Sequence, residues 1–345
     1  MSPIIITIIL SSLATGTIIT MTSHHWLMAW VGLEMNTLAI IPIISTTHHP
    51  RATEASTKYF LTQAAASALI LFSSLTNAWY TGSWDITQML FTPSNTMLTM
   101  ALAMKLGLAP LHFWLPEVIQ GSTMMTAFII TTWQKLAPMS LIFLTMNNLS
   151  TTTLLLMGVL SSLIGGWGGL NQTQTRKIMA YSSIAHLGWM ATISSIMTNI
   201  LILNIILYLI MTTSMFFSLI ISKSKTMQNM AETWTLSPTL TIIMLLSLLS
   251  LGGLPPLTGF VPKWLIMEEL ILQNFNILSI LMAMSSLLSL FFYLRLTYMA
   301  TLSLAPNTTQ TKFKWRFYPK TTTSLFSSTA TLTAFLLPLA PLILM

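Results

Sequence analysis

Six ionisable side chains sit inside stretches that are otherwise apolar: Glu34, Lys105, His112, Lys135, His186 and Lys263. A charge at the centre of a bilayer costs at least about 2.5–3.5 kcal/mol, so such residues usually face a bundle interior and mark ion or proton pathways. The chemistry open to one carboxylate, three amines and two imidazoles is proton transfer. A buried lysine held between desolvation and a carboxylate changes its proton occupancy when that partner moves. Glu34 is the candidate partner of Lys105, Lys135 the candidate recipient of the proton displaced from that pair, and Lys263 the exit-side carrier. Lys105 and His112 are seven residues apart, which is two turns and one face if the helix stays regular that far. Pattern alone reads Lys263 equally as a lysine snorkelling from a helix end, and His186 equally as a core histidine or a relay. Arg295 reads as a snorkelling residue near Tyr298, and Glu117 as a cap for the following helix.

The elements that must position these residues are membrane helices. Of 345 residues, 54% are hydrophobic and only 6% charged, against about 25% charged in a soluble domain. Residues 59–84, 136–175, 178–222 and 233–262 hold no Asp, Glu, Lys or Arg. Several of these exceed the roughly 18–20 apolar residues that cross a bilayer. The short alternating segments of a β-barrel are absent. The reading is an all-α polytopic membrane protein with about eleven transmembrane helices, near 3–21, 25–45, 58–79, 95–116, 123–145, 150–169, 177–197, 199–221, 238–270, 276–298 and 322–343.

Alternating the loops between two faces sorts the charges. The N-terminal face receives Arg51, Lys58, Arg176, Lys177, Lys223, Lys225, Lys312, Lys314, Arg316 and Lys320; the other receives Asp85, Glu268 and Glu269. The positive-inside rule then puts the N-terminus on the insertion side and the C-terminus across the membrane. The net charge of +7 therefore reads as topology and not as a nucleic-acid patch. No cysteine is present, which excludes disulfides and thiolate-held metals or iron–sulfur clusters in this chain. The N-terminus reads as a first span, without the basic region of a signal peptide or the arginines of a transit peptide. His24-His25 and His48-His49 fall at opposite ends of the second span, about 30 Å apart, and so cannot share a metal. They read as interfacial polar residues, and the sequons at Asn148, Asn171 and Asn307 as chance matches in a Thr-rich chain.

The segment GLAPLHFWLPE at 107–117 aligns without gaps to GLPPLTGFVPK at 253–263. Gly107, Pro110 and Pro116 coincide with Gly253, Pro256 and Pro262, Pro255 precedes Pro256, and Trp114 faces Phe260. The copies fall in the fourth and ninth spans, an odd number of crossings apart, which is the signature of inverted repeats. Proline removes a backbone donor and clashes with the preceding turn, so each copy predicts a broken helix. Interrupted segments at matching places in two halves point to an ion or substrate site between helices. The expected layout is a single membrane domain: a five-helix repeat over 1–146, an inverted five-helix repeat over 147–298, and a basic loop with a C-terminal helix over 299–345. Glu34 corresponds loosely to His186 across the two repeats.

At WVGLEMN, KLGLAPLHFWLPE, TWQKLAP, NQTQTRKIMAYSSIAHLGWM and LSLGGLPPLTGFVPKW the chain resembles the antiporter-like subunits of mitochondrial NADH:ubiquinone oxidoreductase (respiratory complex I), and among them the chain 2 family. The resemblance spans essentially the full length. It implies a multi-pass subunit of the mitochondrial inner membrane, N-terminus in the matrix and C-terminus in the intermembrane space, that translocates protons. It implies a polar axis in which Glu34 matches the family's glutamate, Lys105 the lysine of the first broken helix, Lys135 the connecting lysine and Lys263 the ionisable residue of the second. It also implies other membrane-arm subunits, core and accessory, and lipids including cardiolipin as partners, and no nucleic acid. Bacterial relatives carry three further N-terminal helices that this chain lacks, leaving a flank for lipid or other subunits. FMN, iron–sulfur clusters and ubiquinone are expected elsewhere in the complex: no G-x-G-x-x-G follows a strand, no cysteine is present to hold a cluster, GGWGGL at 165–170 lies in a span and lacks the ending of a phosphate-binding loop, and nothing suggests a quinone pocket. The rival reading is a stand-alone Mrp-type cation/proton antiporter.

Overall fold

Serine and threonine inside these helices bond back to their own backbone: Thr20, Ser73, Thr212 and Ser247 each give their hydroxyl to a carbonyl three or four residues earlier. A hydroxyl satisfied within its own helix can be buried where no water reaches it. The computed structural model describes residues 3–302, 324–339 and Pro341, and among them all regular structure is helical. Lys312, Lys314, Arg316, Lys320 and the sequon at Asn307 lie outside the described residues.

The helices are α1 (Pro3–Thr22), α2 (Trp26–Ile44), α3 (Pro50–Thr81), α4 (Thr92–Leu106), α5 (Trp114–Gly121), α6 (Met124–Thr131), α7 (Trp133–Thr145), α8 (Thr151–Leu170), α9 (Thr175–Ser194), α10 (Thr198–Ser222), α11 (Met227–Ala231), α12 (Thr233–Leu236), α13 (Pro238–Gly252), α14 (Phe260–Leu272), α15 (Asn276–Leu302) and α16 (Ser324–Phe335). Seven helical stretches among the described residues are long and apolar enough to cross a membrane. The expected spans 95–116 and 238–270 are each divided, as their prolines predict, into α4 and α5 and into α13 and α14. Each histidine pair supplies a helix cap: His25 and His49 cap α2 and α3, their Nδ1 atoms accepting from Leu27 and Arg51 N–H.

The chain forms two compact units, residues 1–164 with 183–198 and residues 165–182 with 199–345. In the first, α1 crosses α2 at two glycines. A methyl added at Gly16 would stand 3.0 Å from the Gly32 carbonyl oxygen, and one at Gly32 2.8 Å from that of Gly16. The same reciprocal contact joins Gly158 of α8 to Gly188 of α9, at 3.0 and 2.6 Å. Small residues let backbones approach this closely where dispersion drives helix association. These crossings refine the correspondence between Glu34 and His186: Glu34 lies two residues after its crossing glycine and His186 two before, so they differ by about one turn. In the second unit α15 packs against α13 and α14, and α13 against α16. Arg295 is half-buried, and its guanidinium donates to the Leu170 carbonyl at the end of α8, where a helix leaves acceptors unpaired.

Candidate functional site

The two helix breaks have the same backbone. Gly107 (φ 80°, ψ 39°) and Gly253 (φ 80°, ψ 46°) end α4 and α13 in the left-handed conformation, and each N–H reaches back to two carbonyls. Glycine suits this position because a Cβ costs about 1–2 kcal/mol there. Leu108 and Leu254 then donate to the Ala103 and Leu249 carbonyls, and the next half-helices begin at Trp114 and Phe260. Pro110, which follows a cis peptide bond, and Pro255-Pro256 lie in the breaks. Pro116 and Pro262 lie in the first turns of α5 and α14, where a helix needs no backbone donor.

The breaks differ in what completes them. In the first, the Trp114 indole donates to the Met104 carbonyl at 3.1 Å. In the second, the Lys263 ammonium donates to the Gly252 carbonyl at 2.8 Å, and Thr258 donates to the Thr333 carbonyl of α16 at 2.8 Å. Lys263 is 7% exposed and so does not snorkel. Lys105, in the last turn of α4, is 6% exposed, and its Nζ has no hydrogen-bond partner.

Lys105 faces a narrow cavity with about 10 Å³ open to the centre of a water-sized sphere. Lys135, at the start of α7 and 6% exposed, lines the same cavity, as do Asn36, Thr37, Tyr59, Gln63 and Gln134. Two amides tie the walls together: Gln63 donates to the Lys105 carbonyl at 3.5 Å, and Gln134 donates to the Asn36 carbonyl at 3.3 Å. The Tyr59 hydroxyl in turn donates to Gln134 at 3.4 Å. Glu34 is not on the wall. Its carboxylate accepts from the Thr37 hydroxyl at 3.0 Å, and its charge acts through space on Lys105 and Tyr59.

The structure thus brings Lys105, Lys135 and, at one remove, Glu34 together, and leaves the two histidines outside. His112 is buried in the first break, its ring 4.3 Å from that of Phe113 and its Nδ1 without a partner. Because α4 stops at Leu106, Lys105 and His112 do not share a continuous helix face. His186 is buried on α9 and does not line the cavity. Glu117 does not cap α6. It accepts from Lys58 at 2.6 Å, beside the 2.5 Å pair of Lys58 with Glu54, and Thr123 caps α6 instead. The residues missed by sequence reasoning are neutral: Asn36, Gln63 and Gln134 are amides in apolar spans, a signal available to a search not confined to ionisable groups.

Residues 23–289 match the family model described as NADH:quinone oxidoreductase/Mrp antiporter, TM, and residues 290–344 match the NADH dehydrogenase subunit 2 C-terminus. The chain belongs to the NADH dehydrogenase subunit 2 family. It is 58% identical to the NADH-ubiquinone oxidoreductase chain 2 of Varanus timorensis and 55% identical to that of Xenopus laevis, over 344 residues and the full length of each. Among solved structures it is similar to a chain of respiratory complex I from Thermus thermophilus, with a TM-score of 0.85 and 26% identity over 97% of this chain and 78% of that one. A chain of the Mrp complex from Dietzia shares the fold, with a TM-score of 0.79 and 14% identity over 96% of this chain and 74% of that one.

Proposed function

We propose that this chain, a membrane-arm subunit of the respiratory NADH–ubiquinone oxidoreductase, carries protons across the mitochondrial inner membrane through Glu34, Lys105, Lys135 and Lys263. One observation carries the reading: the Lys105 amine is buried without a partner on a cavity it shares with Lys135, within the field of Glu34. A lysine so placed gains a proton when the carboxylate approaches and releases it when the carboxylate withdraws. Moving one charge against the membrane potential requires about 2.3 kcal/mol per 100 mV. A change in one buried lysine–carboxylate separation has to supply an amount of that order, and redox chemistry in partner subunits has to drive it. FMN, the iron–sulfur clusters and ubiquinone belong to those subunits in this reading, and cardiolipin is among the lipids around it.

The finer architecture follows the same proposal: eleven spans in two inverted five-helix repeats and a C-terminal helix, with the N-terminus in the matrix. Two kinds of observation support it. The two breaks and the two glycine crossings recur in order along the chain. Loops assigned to one face also meet one another: His25 bridges to Asp85, Asn148 donates to the Thr87 carbonyl, Lys58 pairs with Glu117, and Gln174 bridges to Thr226.

Proton translocation is tested in fully assembled complexes carrying Lys105→Ala or Glu34→Gln, as protons moved per NADH oxidised. The proposal expects a lower ratio in both; an unchanged ratio removes these residues from the pathway. Obligate co-purification of the chain with redox subunits separates this function from that of a stand-alone antiporter.

A further inference from the structure

Asn36 lies two residues beyond Glu34 on α2, is 2% exposed, and lines the cavity with Lys105 and Lys135. Neither its Oδ1 nor its Nδ2 has a hydrogen-bond partner, and the same holds for the Lys105 Nζ. The cavity's other amides, Gln63 and Gln134, are already committed to backbone carbonyls. Buried polar groups are bonded to protein or to ordered water. The space open in this cavity, about 10 Å³ for a water's centre, is close to the smallest that one water needs. The position of the carboxamide is fixed from behind, because its Oδ1 lies where a methyl on Gly16 would be only 2.8 Å away. A neutral amide with one donor side and one acceptor side offers a water the partners it needs.

We infer that Asn36 is a positioning residue whose carboxamide holds a single water against the Lys105 amine, and that this water is the proton carrier between Lys105 and Lys135. This rests on Lys105 and Lys135 being proton carriers. The transfer conserves atoms and charge. An N–H bond of the Lys105 ammonium breaks as an O–H bond to the water forms, another O–H bond of that water breaks, and an N–H bond forms on a neutral Lys135. Lys105 is left as the amine and the water is regenerated. With Oδ1 held against Gly16, the Nδ2 group is the side left to donate to the water, before and after the proton passes.

Three measurements on the assembled complex test the inference. In the unsubstituted complex, high-resolution density should show a water within about 3 Å of both the Asn36 carboxamide and Lys105 Nζ; a dry cavity overturns the inference without any variant. Asn36→Leu, close to asparagine in shape, should remove that water and lower the protons moved per NADH oxidised. Asn36→Thr should restore both density and ratio. Threonine fits a comparable place, since Thr192 stands against Gly158 as Asn36 stands against Gly16. A full proton ratio in an Asn36→Leu complex that has lost the water overturns the carrier role. A Lys105→Ala complex measured alongside separates the two failures. If that complex pumps normally the proposed pathway is wrong, whereas if it is impaired and Asn36→Leu is not, only the role of Asn36 is wrong.

Discussion

The first and second helix breaks share a backbone and differ in where they place a lysine. Both stop a helix with a left-handed glycine, turn through seven residues and restart at an aromatic residue. In the first, the lysine precedes the glycine by two residues, and the exposed carbonyl is satisfied by the Trp114 indole, leaving the Lys105 ammonium facing a cavity. In the second, the lysine lies on the far half-helix, at the position that Glu117 occupies in the first, and its ammonium closes the break on Gly252. Lys105 and Lys263 are therefore not repeat equivalents. The first break keeps its cation available for exchange, and the second holds its cation as part of the structure in the conformation seen here. The difference shows that a duplicated backbone motif fixes where carbonyls are freed, while the side chains decide whether a cation is committed to them.

The sharpest challenge to this comparison is steric. A methyl at Gly259 would stand 1.8 Å from the Ser250 carbonyl oxygen, so Gly259→Ala should cost more than the about 1–3 kcal/mol of ordinary overpacking. The subunit should then fail to assemble, as read on native gels. The equivalent place in the first break holds Phe113, 70% exposed, and Phe113→Ala should assemble normally. Next come the lysines. Lys263→Met leaves a buried carbonyl unpaired and should lower thermal stability by about 1–3 kcal/mol. Lys105→Met breaks no bond and should leave melting unchanged or raised, while still lowering protons moved per NADH. Equal destabilisation by the two would erase the distinction between an available and a committed lysine. Trp114→Phe, which copies Phe260, should lose only the bond to Met104, about 1 kcal/mol in a melting experiment. The smallest effect is expected from Glu117→Gln, because its pair with Lys58 is half in solvent and exposed ion pairs contribute little. Melting should shift within error, and a large shift would make that pair part of the first break.

Much of this molecule is legible in its sequence, and the parts that are not share a cause. The helix ends at Gly107 and Gly253 follow from residue type, because only glycine turns left-handed without strain and proline cannot continue the ladder. The burial of Lys105 and Lys135 follows from the apolar runs that flank them, whereas pattern alone reads Lys263 equally as buried or snorkelling. The errors arise where a side chain acts across helices. Glu117 reads as a local cap but bonds to α3. His112 falls on the face of Lys105 only if α4 continues past Leu106, and it does not.

The sequence by itself determined that the chain crosses a membrane many times, that two of its helices are broken, and that a few buried ionisable groups lie near the breaks. These depend on composition and on local backbone chemistry, which act within a few residues. The tertiary structure alone decided that Asn36 shares a cavity with Lys105 and Lys135, that Glu34 acts on Lys105 through space from off the cavity wall, and that Lys263 is tied to a carbonyl. Those outcomes depend on the rotation of each helix and on the rotamers it permits, and neither is set until the helices pack.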